Sequence, residues 1–171
     1  MNIQALSFMT GQAFAVSATS LVGQSLGKRR TDMAQAYCGR TRTIGFAFAI
    51  LLAVIFVFFG GNIVGLYNSD PEIIRIGGQI MLFIAFTQPF QSSQFITAGG
   101  LRGAGDTKTT AMITFITVLL VRPITAIVLV NMGFGLYGAW AAFTLDQLLR
   151  SALVLARYNS GKWKMVCVKN A

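Results

Sequence analysis

The sequence lacks the residues on which most enzyme sites are built. It contains no histidine and only five acidic residues among its 171. Without an imidazole base, Ser-His-Asp and Cys-His nucleophile systems are excluded, as are zinc sites that use histidine. The cysteines, Cys38 and Cys167, match no metal-binding spacing, and only Asp70 and Glu72 lie close enough in sequence to pair as carboxylates. We therefore predict no catalytic residue, no metal site, no cofactor and no enzyme activity.

Charged side chains are scarce as well, at 11% of the sequence against about 25% in a typical soluble domain. Hydrophobic residues make up 54%, the mean hydropathy is +0.64, and the apolar residues fall into long runs. About 20 apolar residues in a helix cross the hydrocarbon core of a bilayer. The sequence therefore predicts an all-α integral membrane chain of about five transmembrane helices, with a polar cytoplasmic tail over 159–171. The predicted spans are 3–26, which is the least apolar, 44–66, 73–98, 109–130 and 137–158.

The segments between the spans carry signals for helix starts and turns. Asp70 precedes Pro71 and Glu72, an order that suits the first turn of the third span. The stretch "GGLRGAGDTKTT" at 99–110 is glycine-rich, but it lacks the GK[ST] junction of a phosphate-binding loop and follows a predicted helix instead of a strand. We expect its glycines to permit a tight turn between helices and Asp106 to cap the fourth span.

The basic residues are concentrated in the segments that would face one side of the membrane. If the five helices alternate, eleven of the 14 Lys and Arg residues fall on one side, and Arg75 is the only cation in the segments on the other. The positive-inside bias then predicts a multi-pass protein of the cell (inner) membrane, with the N-terminus of this chain outside and its C-terminus in the cytoplasm. The net charge of +9 is thus attributed to topology and the lipid bilayer, and we expect no nucleic-acid partner.

Several segments together resemble the multidrug and toxic compound extrusion (MATE) family of transporters. "GGLRGAGDTKTT" is similar to the loop before the fifth helix of each lobe, and "ATSLVGQSLGKRRTDMAQAY" (18–37) is similar to the end of the second helix and the loop after it. Three further segments are similar to the family. "VRPITAIVL" (121–129) resembles part of its fifth helix, and "GFGLYGAWAAFTLDQLLR" (133–150) resembles its Gly-rich turn into the last helix. "NSGKWK" (159–164) resembles its C-terminal end. The resemblance covers nearly the whole chain.

The resemblance implies a function and a larger assembly. Family members have two six-helix lobes, so the chain resembles a C-terminal lobe without its first helix, a fragment that needs an N-terminal lobe as partner; a truncated N-terminal lobe is the alternative. The implied activity is efflux of small organic, cationic drugs by H+ or Na+ antiport, through rocking of two lobes around a central cavity. Two other hypotheses stay open: a lipid-linked sugar flippase of the same superfamily, and a non-transporting membrane subunit or truncated remnant.

Charged residues inside the predicted spans form two candidate sites. Asp146 and Arg150 lie four residues apart and hence on one helix face. Since a charge deep in a bilayer costs about 2.5 to 3.5 kcal/mol on insertion scales, they form either a structural ion pair or a relay that couples ion flow to transport. Arg122 precedes Pro123, which can kink the fourth span. This position is either a snorkelling arginine beside a kink or a hinge.

Polar residues at helical spacing form the candidate substrate cavity. In the third span, Gln88, Gln91, Ser92 and Phe95 follow the i, i+3, i+4, i+7 pattern of one face. In the first span, Gln4 and Gln12 belong to a second polar face. Such faces do not favour lipid, so they either hydrogen-bond between helices or line a water-filled cavity that binds drugs.

Overall fold

The structure is a computed structural model that describes residues 2–66 and 70–164, without the side chains of residues 2–4, 6 and 7. The described residues form long helices joined by short turns, with one π-helical turn inside the fourth predicted span and a second that begins at the last residue of that span. The helices are α1 (Asn2–Gly27), α2 (Thr31–Gly65), α3 (Pro71–Gly103), α4 (Thr107–Ile116), α5 (Arg122–Leu129) and α6 (Gly135–Asn159), and the π-helical turns are Thr117–Val121 and Val130–Phe134.

In the described part of the chain, three helical segments are long and apolar enough to cross a membrane, namely α2, α3 and the stretch Thr107–Asn159. Helix α1 is not among them. That stretch is 53 residues long and folds into an antiparallel pair, because Gly133 and Gly135 adopt positive φ angles of 92° and 49° and α6 packs back against α5. The chain is therefore an all-α integral membrane bundle, as the sequence predicted.

The start of α3 follows its sequence signal. The Asp70 side chain accepts a hydrogen bond from the Glu72 N–H at 2.9 Å, and Pro71 occupies the first helical position. The predicted cap is confirmed. At the other end, α3 continues to Gly103, five residues beyond the predicted span, so that 104–106 alone connects it to α4. We call the end of the bundle that contains 28–30, 104–106 and 160–164 the basic end.

Glycines in the 99–110 stretch serve helix packing more than they serve the turn. A Cβ on Gly99 would lie 2.4 Å from the carbonyl oxygen of Ala15, and one on Gly103 would lie 2.3 Å from that of Thr19. The Thr19 hydroxyl also donates to the Gly99 carbonyl at 2.9 Å. The prediction that these glycines form the turn is wrong for both, because they lie inside α3 and let α1 approach closely. Gly105, with a φ of 85°, does lie in the turn.

The apolar core near the basic end includes the start of the polar tail. Trp163 is 2% exposed and packs in one cluster with Val22, Leu101 and Val154. Its indole N–H donates to the Tyr158 carbonyl at 3.0 Å. The first residues of the tail are therefore anchored to the bundle, and 165–171 lie outside the described residues.

Candidate substrate cavity and buried ion pair

A cavity of about 630 Å³ lies between α1, α3, α4 and α6 near the basic end. This volume falls within the range of about 300 to 1,000 Å³ that is usual for small-molecule sites. On α4 and the π-helical turn after it, the lining residues follow helical spacing and so form one face. The lining comprises Gln12, Gln94, Phe95, Ala98, Arg102, Thr107, Thr110, Ala111, Thr114, Phe115, Val118, Leu119 and Arg150.

The charged residues that the structure places in the lining of this cavity are both basic. Arg102 and Arg150 line it, and none of the described lining residues is acidic. Arg102 is exposed, and its Nε donates to the Ala98 carbonyl oxygen, one turn back in α3, at 3.3 Å. Arg150 is buried, and a carboxylate outside the lining compensates its charge. Among the described lining residues, Arg102 is therefore the one solvent-accessible cation, and it lies at the basic end.

Asp146 and Arg150 form the ion pair that their spacing predicted. Arg150 Nη2 lies 2.5 Å from Asp146 Oδ2, and Asp146 is 1% exposed. Arg150 Nε also donates to the hydroxyl of Thr117, at 3.1 Å, where the first π-helical turn begins. Among the described residues, Asp146 Oδ1 and Gln147 Oε1 are buried without a hydrogen-bond partner. The network thus joins α6 to the fourth span and retains one free carboxylate oxygen. A role in ion coupling stays a prediction.

The predicted polar face of α3 meets α1 and α2 across a very small space. Gln88, Gln91, Ser92 and Phe95 line a cavity of about 10 Å³, which is room for about one water molecule. The Ser92 hydroxyl donates to the Gly45 carbonyl of α2 at 3.0 Å. This face therefore makes interhelical contacts, while Phe95 also reaches the large cavity. Whether these residues contact substrate stays a prediction.

The structure describes the side chain of only one of the two α1 residues predicted to line the substrate cavity. Gln12 lines the large cavity, whereas the side chain of Gln4 lies outside the described residues. Sequence reasoning missed Gln94, which is 3% exposed, lines the same cavity and leaves its Oε1 without a hydrogen-bond partner in the described part of the chain. It also missed the threonine stripe of α4 at Thr107, Thr110 and Thr114, whose i, i+3, i+7 spacing was visible in the sequence.

Arg122 and Pro123 follow directly on the first π-helical turn. Proline has no N–H to donate one turn back, and a π-helical turn absorbs such a defect in a helix. The Arg122 guanidinium lies 4.8 Å from the centre of the Phe143 ring on α6, which is a cation–π contact. The predicted irregularity of the fourth span is present at this point, and its use as a hinge stays a prediction.

The turn at the basic end contains a second ion pair, which the sequence did not reveal. Arg157 Nε donates to Asp106 Oδ2 at 2.7 Å, and the Thr109 hydroxyl donates to Oδ1 at 2.6 Å. Asp106 occupies the N-cap position of α4 as predicted, but its side chain makes these contacts in place of a cap to the backbone. Since 51 residues separate Asp106 from Arg157, no local sequence pattern could have paired them.

Comparison with known proteins supplies the family context of this bundle. The model of the MatE family matches residues 1–128. Similar curated proteins include a probable multidrug resistance protein NorM of Thermotoga maritima, 30% identical over 96% of the chain, and the uncharacterized transporter YisQ of Bacillus subtilis, 26% identical over 95%. A multidrug resistance protein MdtK of Photorhabdus laumondii is 29% identical over 91%. The chain spans 36%, 36% and 35% of the lengths of these three relatives.

Proposed function

The chain belongs to the MatE family, and on that premise we propose that it forms one lobe of a membrane transporter that exports drugs. The match of residues 1–128 to the family carries this proposal. The relatives NorM and MdtK bear names that describe multidrug resistance proteins, and the cavity of about 630 Å³ is large enough for a drug. The work of the lobe is to bind and move a small organic molecule, without a chemical reaction.

A second lobe completes the proposed transporter. The relatives are almost three times as long as the aligned part of this chain, and the resemblance favours the C-terminal lobe over a truncated N-terminal lobe. In transporters with two similar halves, substrate binds between the halves, which rock against each other. The cavity between α3 and α4 then contributes to the path between the lobes, and the basic end lies in the cytoplasm, as the positive-inside bias predicts.

Asp146 is our candidate for coupling transport to the entry of H+ or Na+. It is the only acid in the part of the predicted spans that the structure describes, and its Oδ1 has no partner there. Binding of a cation to this oxygen neutralises the carboxylate and so weakens its hold on Arg150. Because Arg150 also binds Thr117, the change reaches the irregular fourth span, where Arg122 and Pro123 form the candidate hinge.

Efflux of a fluorescent cationic dye tests this proposal. The complete transporter that contains this lobe is expressed in cells without other drug pumps, and efflux is followed under an imposed H+ or Na+ gradient. We expect Asp146→Asn to abolish gradient-driven efflux at normal protein level, and Asp146→Glu, which keeps the carboxylate, to restore part of it. Thr117→Val is the matched control, since it removes a hydrogen bond to Arg150 but no charge.

The outcomes separate the parts of the proposal. Normal efflux by Asp146→Asn shows that the ion pair is structural and that coupling occurs elsewhere. Equal losses in Asp146→Asn and Thr117→Val, with a lower melting temperature in both, lead to the same conclusion. No efflux of any dye by the unaltered transporter contradicts the assigned function and favours the non-transporting subunit.

A further inference from the structure

The large cavity changes from polar to apolar along its length. On the wall formed by α4, the threonines Thr107 and Thr110 lie nearest the basic end, and Phe115 and Leu119 lie farthest from it. From Thr107 to Leu119 the wall is about 18 Å long at 1.5 Å per residue. Half of the hydrocarbon core of a bilayer is about 15 Å thick. The cavity is therefore as long as one leaflet is thick.

Positive charge lies at the polar mouth of the cavity. Arg102, at the basic end of α3, is exposed there, and no described lining residue is acidic. Thr107 is the first residue of α4, so its N–H lacks a carbonyl partner within the helix and lies at the positive end of the helix dipole. The Asp106 carboxylate at the N-cap of α4 is paired with Arg157, so it does not offset the charge of Arg102. A guanidinium beside a helix N-terminus favours an anion, above all a phosphate.

The inner part of the cavity suits a lipid body. Phe115 is 63% exposed and Leu119 is 55% exposed, so the apolar wall is open at the surface of the described bundle and can contact an acyl chain. Between the mouth and this wall lies the buried amide of Gln94, whose Oε1 has no partner in the described part of the chain. A water molecule that donates to Oε1 and to an ester carbonyl of the occupant satisfies this oxygen.

We infer that the cavity binds one anionic phospholipid from the leaflet at the basic end. Its phosphate lies between Arg102 and the N-terminus of α4, its ester groups lie near Gln94, and one acyl chain follows Phe115 and Leu119. This inference is independent of the proposed transport, since it requires binding only. The two competing occupants are a water-soluble organic anion and a helix of another protein segment.

Native mass spectrometry of the protein extracted from membranes tests the inference. The membranes contain phosphatidylglycerol and phosphatidylcholine with identical acyl chains. We expect one retained phosphatidylglycerol per chain and little phosphatidylcholine. Arg102→Gln should lower retention at least about tenfold, because it removes a charge-assisted hydrogen bond to the phosphate. Arg75→Gln, which removes an exposed cation at the opposite end of α3, should leave retention unchanged.

A second pair of variants tests the place of binding without a change of charge. Ala111→Trp fills the cavity from the α4 wall, whereas Met112→Trp places the same indole side chain at the next position, which does not line the cavity. We expect only Ala111→Trp to release the lipid. Each of three results would overturn the inference. They are equal retention of both lipids, equal effects within either pair of variants, and displacement of phosphatidylglycerol by a short-chain aryl carboxylate. If the complete transporter no longer retains phosphatidylglycerol, a protein helix occupies the cavity, and this result also overturns the inference.

Discussion

At the scale of single residues, Asp106 is a carboxyl group outside the predicted spans whose ionisation the fold controls. Burial raises its pKa, but hydrogen bonds from Arg157 and Thr109 lower it by more, so the pKa lies below its usual value. A depressed pKa in the folded state means that the carboxylate adds stability at pH values above its unfolded pKa, which is about 3.9. That contribution is lost as the pH falls through the folded pKa.

We therefore expect Asp106→Asn to lower the free energy of unfolding at pH 7 by about 1.5 to 3 kcal/mol, the range for a hydrogen bond to a charged group. The deficit should begin to shrink below about pH 4, where this carboxyl takes up a proton in the unfolded chain, and it should be lost once the pH falls below the depressed pKa of the folded state. Thermal unfolding of the detergent-solubilised protein at pH 7 and at about pH 2.5 measures it. Asp32→Asn, at an exposed position in α2, is the control. A deficit that is equal at both pH values contradicts the assignment.

At the scale of elements, the close contact between α1 and α3 depends on glycines, which have no side chain. A Cβ on Gly99 would lie 2.4 Å from a carbonyl oxygen of α1, and a backbone oxygen cannot rotate away as a side chain can. The helices must therefore separate to accept even a methyl group. Because Gln12 of α1 and Phe95 of α3 both line the large cavity, such a separation also alters the cavity.

Gly99→Ala should accordingly destabilise the bundle by about 1 to 3 kcal/mol, as overpacking usually does. Gly39→Ala is the matched control, because a Cβ there meets nothing within 4 Å and an alanine inside a helix is about 0.5 to 1 kcal/mol more favourable than glycine. Relative to the unaltered protein, the melting temperature of Gly99→Ala should thus fall and that of Gly39→Ala should rise. Size-exclusion chromatography after heating measures both. If the melting temperature of Gly99→Ala equals or exceeds that of the unaltered protein, α1 does not pack as described.

At the scale of the whole molecule, the sequence predicts what depends on local pattern and misses what depends on distant contacts. The apolar runs, the Asp70 cap and the Asp146–Arg150 pair follow from spacing along one chain segment, and the structure contains all three. The Asp106–Arg157 pair and the burial of Trp163 arise only when α6 returns beside α3 and α4. The same limit explains why Gly99 was assigned to a turn, since its neighbour Ala15 is distant in sequence.

The orientation of the bundle is a property of the whole chain, and it rests on the distribution of its charges. Residues 28–30, 104–106 and 160–164 lie together at the basic end, and lysine and arginine are retained on the cytoplasmic side. We therefore expect a cysteine introduced by Lys162→Cys, in a chain with Cys38→Ala and Cys167→Ser, to resist a membrane-impermeant thiol reagent in intact cells. A cysteine introduced by Met132→Cys, beside the turn at the opposite end, should react. Permeabilised cells provide the control, because both sites must then be labelled. The reverse pattern in intact cells means that the basic end faces outward and that charge does not set the topology of this chain.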